Sequence, residues 1–189
     1  MKIIRPHTGS RYGGLAMLGA AAILLAACAS VPPAPAGSAA ARARLTQLQS
    51  NPELGTLAPA AMKEADLAVR AAEVPQHDQQ MAGHLVYLAD RKVDIAAARA
   101  AIVSAEKADA GRYAAPELAA ARAKLAAAEA AVTSEHMPEA LRLADESAVE
   151  ADLANAKAGE AKALAVNADM KQGNAVLGDE LQRGSGGQP

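Results

Sequence analysis

Cys28 is the only cysteine in the chain and the side chain with the most distinctive covalent chemistry. A single thiol cannot form an internal disulfide bond, and alone it cannot supply the four ligands of a structural zinc site. Cys28 directly follows Leu25, Ala26 and Ala27 at the end of an apolar run. Its type and position therefore predict covalent modification of the thiol.

The segment before Cys28 has the composition of a secretory leader. Residues 1–11 carry Lys2, Arg5 and Arg11 and no acidic residue, and an uncharged, apolar run follows at 15–27. Such a run suits the apolar region of a signal peptide and is shorter than the roughly 20 residues that span a bilayer. We predict that residues 1–27 are a signal peptide. An ordinary signal peptide that happens to contain cysteine, or an uncleaved anchor, is the alternative.

Residues Leu25, Ala26, Ala27 and Cys28 resemble the lipobox of bacterial lipoproteins. The resemblance implies a diacylglyceryl group on the Cys28 thiol, cleavage before Cys28 and acylation of its new amine. Two or three acyl chains anchor a protein stably, whereas one is marginal. Position 29 is Ala rather than Asp, which resembles the pattern for export to the outer membrane. We therefore expect a lipid-anchored protein on the periplasmic face of the outer membrane.

The histidines do not have the spacing of a metal site. His77 and His84 are seven residues apart, and His136 lies far along the chain. A helical zinc site uses histidines four apart, or a third close ligand. We expect structural histidines, and neither a metal nor a cofactor.

An acidic stretch is the remaining candidate for catalysis. Its members are Glu135, Glu139, Asp145, Glu146, Glu150 and Asp152. A pair of glycosidase carboxylates needs a concave pocket and a raised pKa on one of them, whereas a heptad helix usually carries such acids on its solvated face. The charges Asp90, Arg91, Lys92 and Arg99 are likewise expected to be exposed, with helical partners. With no Gly-rich phosphate loop and no Gly-x-Ser-x-Gly motif, we expect no enzymatic activity.

The composition predicts an all-α fold. Alanine, the best helix former, dominates the chain, which contains three Tyr and no Phe or Trp. The leader holds three basic residues, so its removal changes the formal net charge from −2 to −5. A nucleic-acid-binding protein would show a basic stripe and stacking aromatic residues, so we expect no nucleic-acid partner.

Proline and glycine divide the remainder into elements. Residues 28–38 contain three prolines and read as an extended linker after the lipidated cysteine. Residues 39–172 form the predicted helical domain, and residues 173–189 are predicted to be a flexible tail. The predicted helices are, in order, 39–49, 59–73, 79–110, 116–133 and 138–170.

Apolar residues recur at spacings of three and four in the second to fifth predicted helices, which is typical of coiled-coil-like packing. The face of the third helix is the widest, so we expect that helix to be central. In the last helix a continuous row of small residues extends from Ala140 to Ala168. This row is predicted either to lie in the core or to contact a partner. The candidate partner face is Ala151, Ala154, Ala158, Ala161 and Ala165.

The pattern also indicates an internal duplication, with the general resemblance of Ala-rich heptad helices to one another as the alternative. Met62, Ala65 and Val69 align with Leu118, Ala121 and Leu125 at one constant offset along the chain. Each unit would be a short helix followed by a longer antiparallel one. Two such Ala-rich helical hairpins predict a four-helix bundle or a short tetratricopeptide-like solenoid.

Three stretches carry a family resemblance: Leu54–Ala65, His84–Arg91 and Tyr113–Leu125. With the lipobox, they resemble an uncharacterised, Ala-rich domain-of-unknown-function family of proteobacterial lipoproteins. Some members place this region before an OmpA-like domain, which we do not expect in a chain that ends at Pro189. The expected function is a non-enzymatic scaffold or protein-interaction module with an envelope protein as partner. The alternative is a structural coiled-coil lipoprotein that self-associates as a homo-oligomer.

Overall fold

The computed structural model describes residues 34–186, in which every regular element is a helix and none is a strand. The helices are α1 (Ser38–Gln49), α2 (Pro59–Glu73), α3 (Gln79–Lys107), α4 (Ala110–Tyr113), α5 (Ala115–Thr133) and α6 (Met137–Ser185). The prediction of an all-α bundle is confirmed. Within the described residues no helix combines the length and the apolar composition needed to cross a bilayer.

The helices begin where the sequence places favourable first-turn residues. Pro59, Pro116 and Pro138 each lie in the first turn of a helix, where the missing N–H would have no intrahelical partner. The Asp78 carboxylate caps α3 by accepting hydrogen bonds from the backbone N–H groups of Gln80 and Met81. All five predicted starts lie within one residue of the observed ones, and these local signals explain four of them.

Gly37 allows the chain to enter α1. Its φ of 94° lies in the left-handed region, and a Cβ built at this position would lie 2.9 Å from Cγ1 of Val86 on α3. Glycine alone satisfies both the backbone conformation and the close approach. The predicted linker therefore ends in a turn against α3, and helix α1 begins at Ser38, which is buried.

Helix α3 is central, as predicted, and contacts all five of the other described helices. One of its faces, including Val86, Val93 and Ala100, belongs to a core cluster shared with α1 and α2. Another face, including Ile95 and Ile102, belongs to a second cluster shared with α4, α5 and α6. The described chain therefore consists of two three-helix units, α1–α2–α3 and α3–α5–α6, that share α3.

The last helix differs most from its prediction. The pair Gly173-Asn174 was expected to end it and to begin a flexible tail at 173–189, but α6 continues to Ser185. Gly and Asn lower helix propensity by about 1 kcal/mol or less each, which cannot terminate a helix without a cap or a proline. Helix α3 also ends earlier than expected, at Lys107, where Asp109 adopts a positive φ of 63° before the short α4.

Candidate interaction surface

The residues of the predicted lipobox lie outside the described residues. Leu25, Ala26, Ala27 and Cys28 precede residue 34, so the cleavage site and the lipid anchor remain predictions from the sequence. The candidate surfaces described below belong to the helical units.

Equivalent ion pairs join helices in the two units. In the first unit, Arg42 of α1 donates hydrogen bonds to the carboxylate of Glu73 on α2 at 2.7 and 2.8 Å and to Asp66 at 2.6 Å. In the second unit, Arg99 of α3 donates a hydrogen bond to Glu129 of α5. Glu73 and Glu129 are separated by the same number of residues as the two aligned apolar patterns. Arg42 and Arg99 are separated by one residue more. Helix α1 in the first unit and the second half of α3 in the second unit therefore occupy equivalent positions.

A buried charge pair lies on α3. The side chains of Arg91 and Asp94 are 6% and 3% exposed, with Arg91 Nη2 and Asp94 Oδ2 separated by 3.0 Å. Asp94 also accepts a hydrogen bond from Arg44 of α1, and the Arg91 guanidinium lies over the ring of Tyr87. Burial raises the pKa of the Asp94 carboxyl. The expectation that Arg91 is exposed was wrong, because α3 is packed on more faces than an isolated amphipathic helix.

Ion pairs account for several of the acids between 135 and 152. Nζ of Lys124 on α5 forms ion pairs with the carboxylates of Glu146 and Glu150, at 3.3 and 3.0 Å. Glu146 also forms an ion pair with Arg142. Arg142 and Lys124 lower the pKa of Glu146, which is opposite to the shift that a general acid requires. Asp152 is different, because desolvation raises the pKa of its carboxyl.

The histidines and acids do not assemble into a metal site. No group of three or more His, Cys, Asp or Glu side chains in residues 34–186 is arranged to hold an ion. His136 precedes α6, and its Nδ1 lies 3.1 Å from Oγ of Ser134. That contact is a local one at the connection between α5 and α6.

A cavity of about 260 Å³ lies where the two units adjoin. Helices α2, α3 and α5 line it, and its charged groups include the pairs Lys92–Glu64 and Arg99–Glu129. Ligand pockets are typically about 300–1,000 Å³ and mostly apolar. This smaller, ion-paired cavity therefore fits a joint between units better than a small-molecule site.

The row of small residues on α6 lies mainly in the core. We call its buried part the inner stripe: Ala140, Ala144, Ser147, Ala151, Ala154 and Ala158. Within it, the Ser147 hydroxyl donates a 2.8 Å hydrogen bond to the carbonyl oxygen of Ala121 on α5. Three members of the predicted partner face, Ala151, Ala154 and Ala158, are thus covered by the protein itself. Ala161 is half-buried and Ala165 is exposed.

The opposite face of α6 is exposed and carries large apolar side chains. Val149 is 66% exposed, Leu153 44%, Met170 61%, Leu177 58% and Leu181 74%. Beyond Lys162 nearly every residue of α6 is exposed to solvent, so the segment 163–185 has almost no packing partner within the described chain. This face of α6 is the strongest candidate interaction surface.

The family model of a domain of unknown function (DUF4398) matches the chain twice, over residues 38–108 and 94–170. Together the two matches span most of the sequence. The chain belongs to this family. No curated protein and no solved structure is significantly similar to it.

The two DUF4398 matches reproduce the structural units. The first covers α1, α2 and α3, and the second covers the end of α3 together with α4, α5 and much of α6. Their starting points, 38 and 94, are separated by the same offset as the apolar pattern. Both matches include residues 94–107, the part of α3 that the two units share. The matches and the shared helix support the predicted duplication.

Sequence reasoning found the inner stripe of α6 but missed the outward face. A signal was present, because Val149, Leu153, Met170, Leu177 and Leu181 also follow the heptad spacing. The more regular alanine row and the apparent break at Gly173 concealed it. Two faces of one helix can both follow a heptad spacing, and only the structure shows which of them is covered.

Proposed function

We propose that this protein is a lipid-anchored, non-enzymatic helical scaffold on the periplasmic face of the outer membrane. One observation carries the proposal: a basic and apolar leader ends in Leu25-Ala26-Ala27-Cys28. A signal peptidase would cleave before Cys28, and acyl chains on that residue would hold the protein at the membrane surface. Ala29 favours export to the outer membrane over retention at the inner one.

The helical units support a role in binding rather than catalysis. The acids with lowered pKa values form ion pairs, and the cavity between the units is lined by ion pairs. The outward face of α6 exposes five large apolar side chains of the kind that protein interfaces bury. An envelope protein that covers this face is the proposed partner.

The anchor is tested by metabolic labelling with palmitate. The wild-type protein should incorporate the label and fractionate with membranes. Cys28→Ala should abolish labelling, because the thioether to diacylglycerol cannot form. Ala27→Gly is the matched control, because it keeps a small residue before the cleavage site and should preserve labelling. Palmitate that persists on the Cys28→Ala chain would refute the anchor.

The destination has a separate test. Ala29→Asp should leave palmitate labelling unchanged and move the protein from the outer-membrane to the inner-membrane fraction. Ala29→Ser, which introduces no charge, should leave the distribution as it is. An Ala29→Asp protein that still reaches the outer membrane would contradict the proposed sorting while leaving the anchor intact.

Self-association is the second candidate function, and the exposed face of α6 favours it. A structural coiled-coil lipoprotein would use such a face to bind another copy of itself. Sedimentation of the full Cys28→Ala chain in mild detergent measures this directly. A monomer at every concentration would exclude self-association and leave the anchored scaffold as the proposal.

A further inference from the structure

The outward face of α6 follows an unbroken heptad. We call it the outer stripe: Val149, Leu153, Ala156, Glu160, Ala163, Asn167, Met170, Asn174, Leu177 and Leu181. Its spacing alternates four and three throughout, and it extends about 48 Å along the helix at about 1.5 Å per residue. Every member is exposed in the structure. With Leu153 at heptad position a and Val149 at d, the inner stripe occupies mainly f and b on the opposite side of the helix. A second helix could therefore lie on the outer stripe without displacing α3 or α5.

A similar stretch of sequence on α3 lies on a face that is covered. Residues 94–99 read Asp-Ile-Ala-Ala-Ala-Arg, and residues 152–157 of α6 read Asp-Leu-Ala-Asn-Ala-Lys. On α3, Ile95 and Ala98 are buried in the second core cluster. On α6 the matching residues, Leu153 and Ala156, are exposed. This part of the outer stripe thus corresponds to the face of α3 that packs against α5 and α6.

The two asparagines of the outer stripe favour one orientation of a second helix. Asn167 and Asn174 are both at position a. In a parallel pair of identical helices each asparagine meets its own copy across the interface, where two amides can hydrogen-bond to each other. In the antiparallel register that overlaps the whole stripe, position a faces d, so Asn167 would lie opposite Ala163 and Asn174 opposite Ala156. Those amides would lose hydration without gaining a partner.

The flanking charges favour the same orientation. In a parallel pair, position g of one helix faces position e of the other, five residues on, so Asp152 faces Lys157 of the second copy. Lys157 already pairs with Glu117 of its own chain, and a second carboxylate adds to that pair. The antiparallel register pairs e with e and g with g. It would place Lys157 opposite Lys171 and Asp152 opposite Glu180, and both contacts are repulsive.

The glycines of α6 are consistent with the close approach of another helix. Gly159, Gly173, Gly178 and Gly184 lie at positions d, e or g, beside or on the outer stripe. A Cβ added at each would meet nothing within 4 Å in the described chain. The packing of the described chain therefore does not require glycine at these positions, although each glycine costs about 1 kcal/mol of helix stability relative to alanine. The segment 163–185 has almost no packing partner within residues 34–186, so contact with another helix would stabilise the end of α6.

We propose that the outer stripe of α6 is a parallel, in-register, two-stranded coiled-coil interface between two copies of this chain. The inference deepens the second candidate function by naming the surface, orientation and register, and it rests on that candidate. It does not require the lipid anchor, but it is compatible with it. The two-fold axis of a parallel pair runs between the two α6 helices and parallel to them. Equivalent residues of the two copies are therefore at the same height, and both anchors could reach one membrane.

Disulfide crosslinking tests orientation and register. In the full Cys28→Ala chain, Asn174→Cys introduces a single thiol at position a, which should face its own copy and give a covalent dimer on mild oxidation. Val176→Cys is the matched control. It is two residues away on the same exposed helix but at position c, and it should remain uncrosslinked. Equal crosslinking at both positions would overturn the proposal.

Sedimentation of the parent Cys28→Ala chain separates the remaining outcomes. A dimer that crosslinks through position 174 supports the parallel coiled coil. A dimer that does not crosslink there refutes the proposed orientation or register but leaves self-association standing. A monomer that forms no crosslink refutes both, and leaves the outer stripe to a helix of a different protein.

Two neighbouring substitutions test the surface itself. Leu177→Glu places a charge in the interface of both copies and should weaken the dimer by on the order of 100-fold or more. Val176→Glu introduces the same charge at a residue of similar exposure, 51% against 58%, and should change the dimer constant little. Equal effects of the two variants, or none from either, would exclude the outer stripe as the interface.

A gain of affinity provides an independent check. Glu160 is at position a, so a parallel pair brings two carboxylates together in the interface. Glu160→Leu should therefore tighten the dimer by at least about tenfold. Weaker association in this variant would contradict the proposed register.

Discussion

The buried pair Arg91–Asp94 shows how a single site can cost stability and still be difficult to alter. Arg91 Nε and Nη1 have no hydrogen-bond partner within residues 34–186, so desolvation of the guanidinium is incompletely compensated there. Asp94 supplies the neutralising charge and also forms an ion pair with Arg44 of α1. Removal of one member is therefore worse than removal of both.

We expect Asp94→Ala to lower the free energy of unfolding by about 3 kcal/mol, because it leaves Arg91 buried without a counter-charge. The double variant Arg91→Met, Asp94→Leu should be near the wild type or above it, since apolar side chains of similar size replace both charges. Urea denaturation measures both values. A double variant that is less stable than Asp94→Ala alone would show that the pair makes a net contribution to stability.

The cluster around Arg42 predicts a dependence of stability on pH. The guanidinium lowers the pKa values of Glu73 and Asp66, so these acids are more easily ionised in the folded than in the unfolded protein. Their contribution is present above the ordinary carboxyl pKa of about 4 and is lost as pH falls through the lowered values. Arg42→Gln should cost about 1 kcal/mol at pH 7 for these partly exposed pairs, and much less at pH 2.

Thermal melts at the two pH values test this prediction. Arg70→Gln is the matched control, because Arg70 is 69% exposed and pairs with Asp66 alone within its own helix. Its effect should be smaller at pH 7. An Arg42→Gln deficit that is as large at pH 2 as at pH 7 would indicate lost packing rather than lost charge pairing.

Two glycines near the starts of α1 and α3 have opposite roles. Gly37→Ala should lower the unfolding free energy by about 1–3 kcal/mol, because it strains a left-handed backbone and crowds Val86. Gly83→Ala should raise it by about 1 kcal/mol, since Gly83 lies within helix α3 and its added Cβ would meet nothing within 4 Å. Chemical denaturation of the two variants should give shifts of opposite sign, and a shared sign would contradict the local account.

The helices show what the sequence could and could not predict. Proline in the first turn and the apolar spacing identified α2, α5 and the start of α6, because these signals act within one turn of the chain. The continuation of α6 to Ser185 was missed, since Gly173 weakens a helix without ending it. The burial of Arg91 was missed as well, because it depends on how many neighbours surround α3. The outer stripe needed the structure to show that nothing in the described chain covers it.

The sharing of α3 couples the two units. Val93 and Ala100 of α3 pack in the first core, whereas Ile95 and Ile102 of the same helix pack in the second. Neither core can be completed if α3 unfolds, and both depend on neighbouring residues of one continuous backbone. Linear repeat arrays behave in this way when the free energy of the interface between neighbouring repeats is large compared with the stability of each repeat alone.

The coupling predicts a single unfolding transition. Val69→Ala in the first core and Leu125→Ala in the second should each lower the free energy of the same transition, by about 1–4 kcal/mol, because each opens a cavity beside α3. Hydrogen exchange measured on amides of α2 and of α5 should quicken together in both variants. Exchange that quickens only in the helix carrying the substitution, or a denaturation curve with two steps, would show that α3 holds two independent units rather than one cooperative fold.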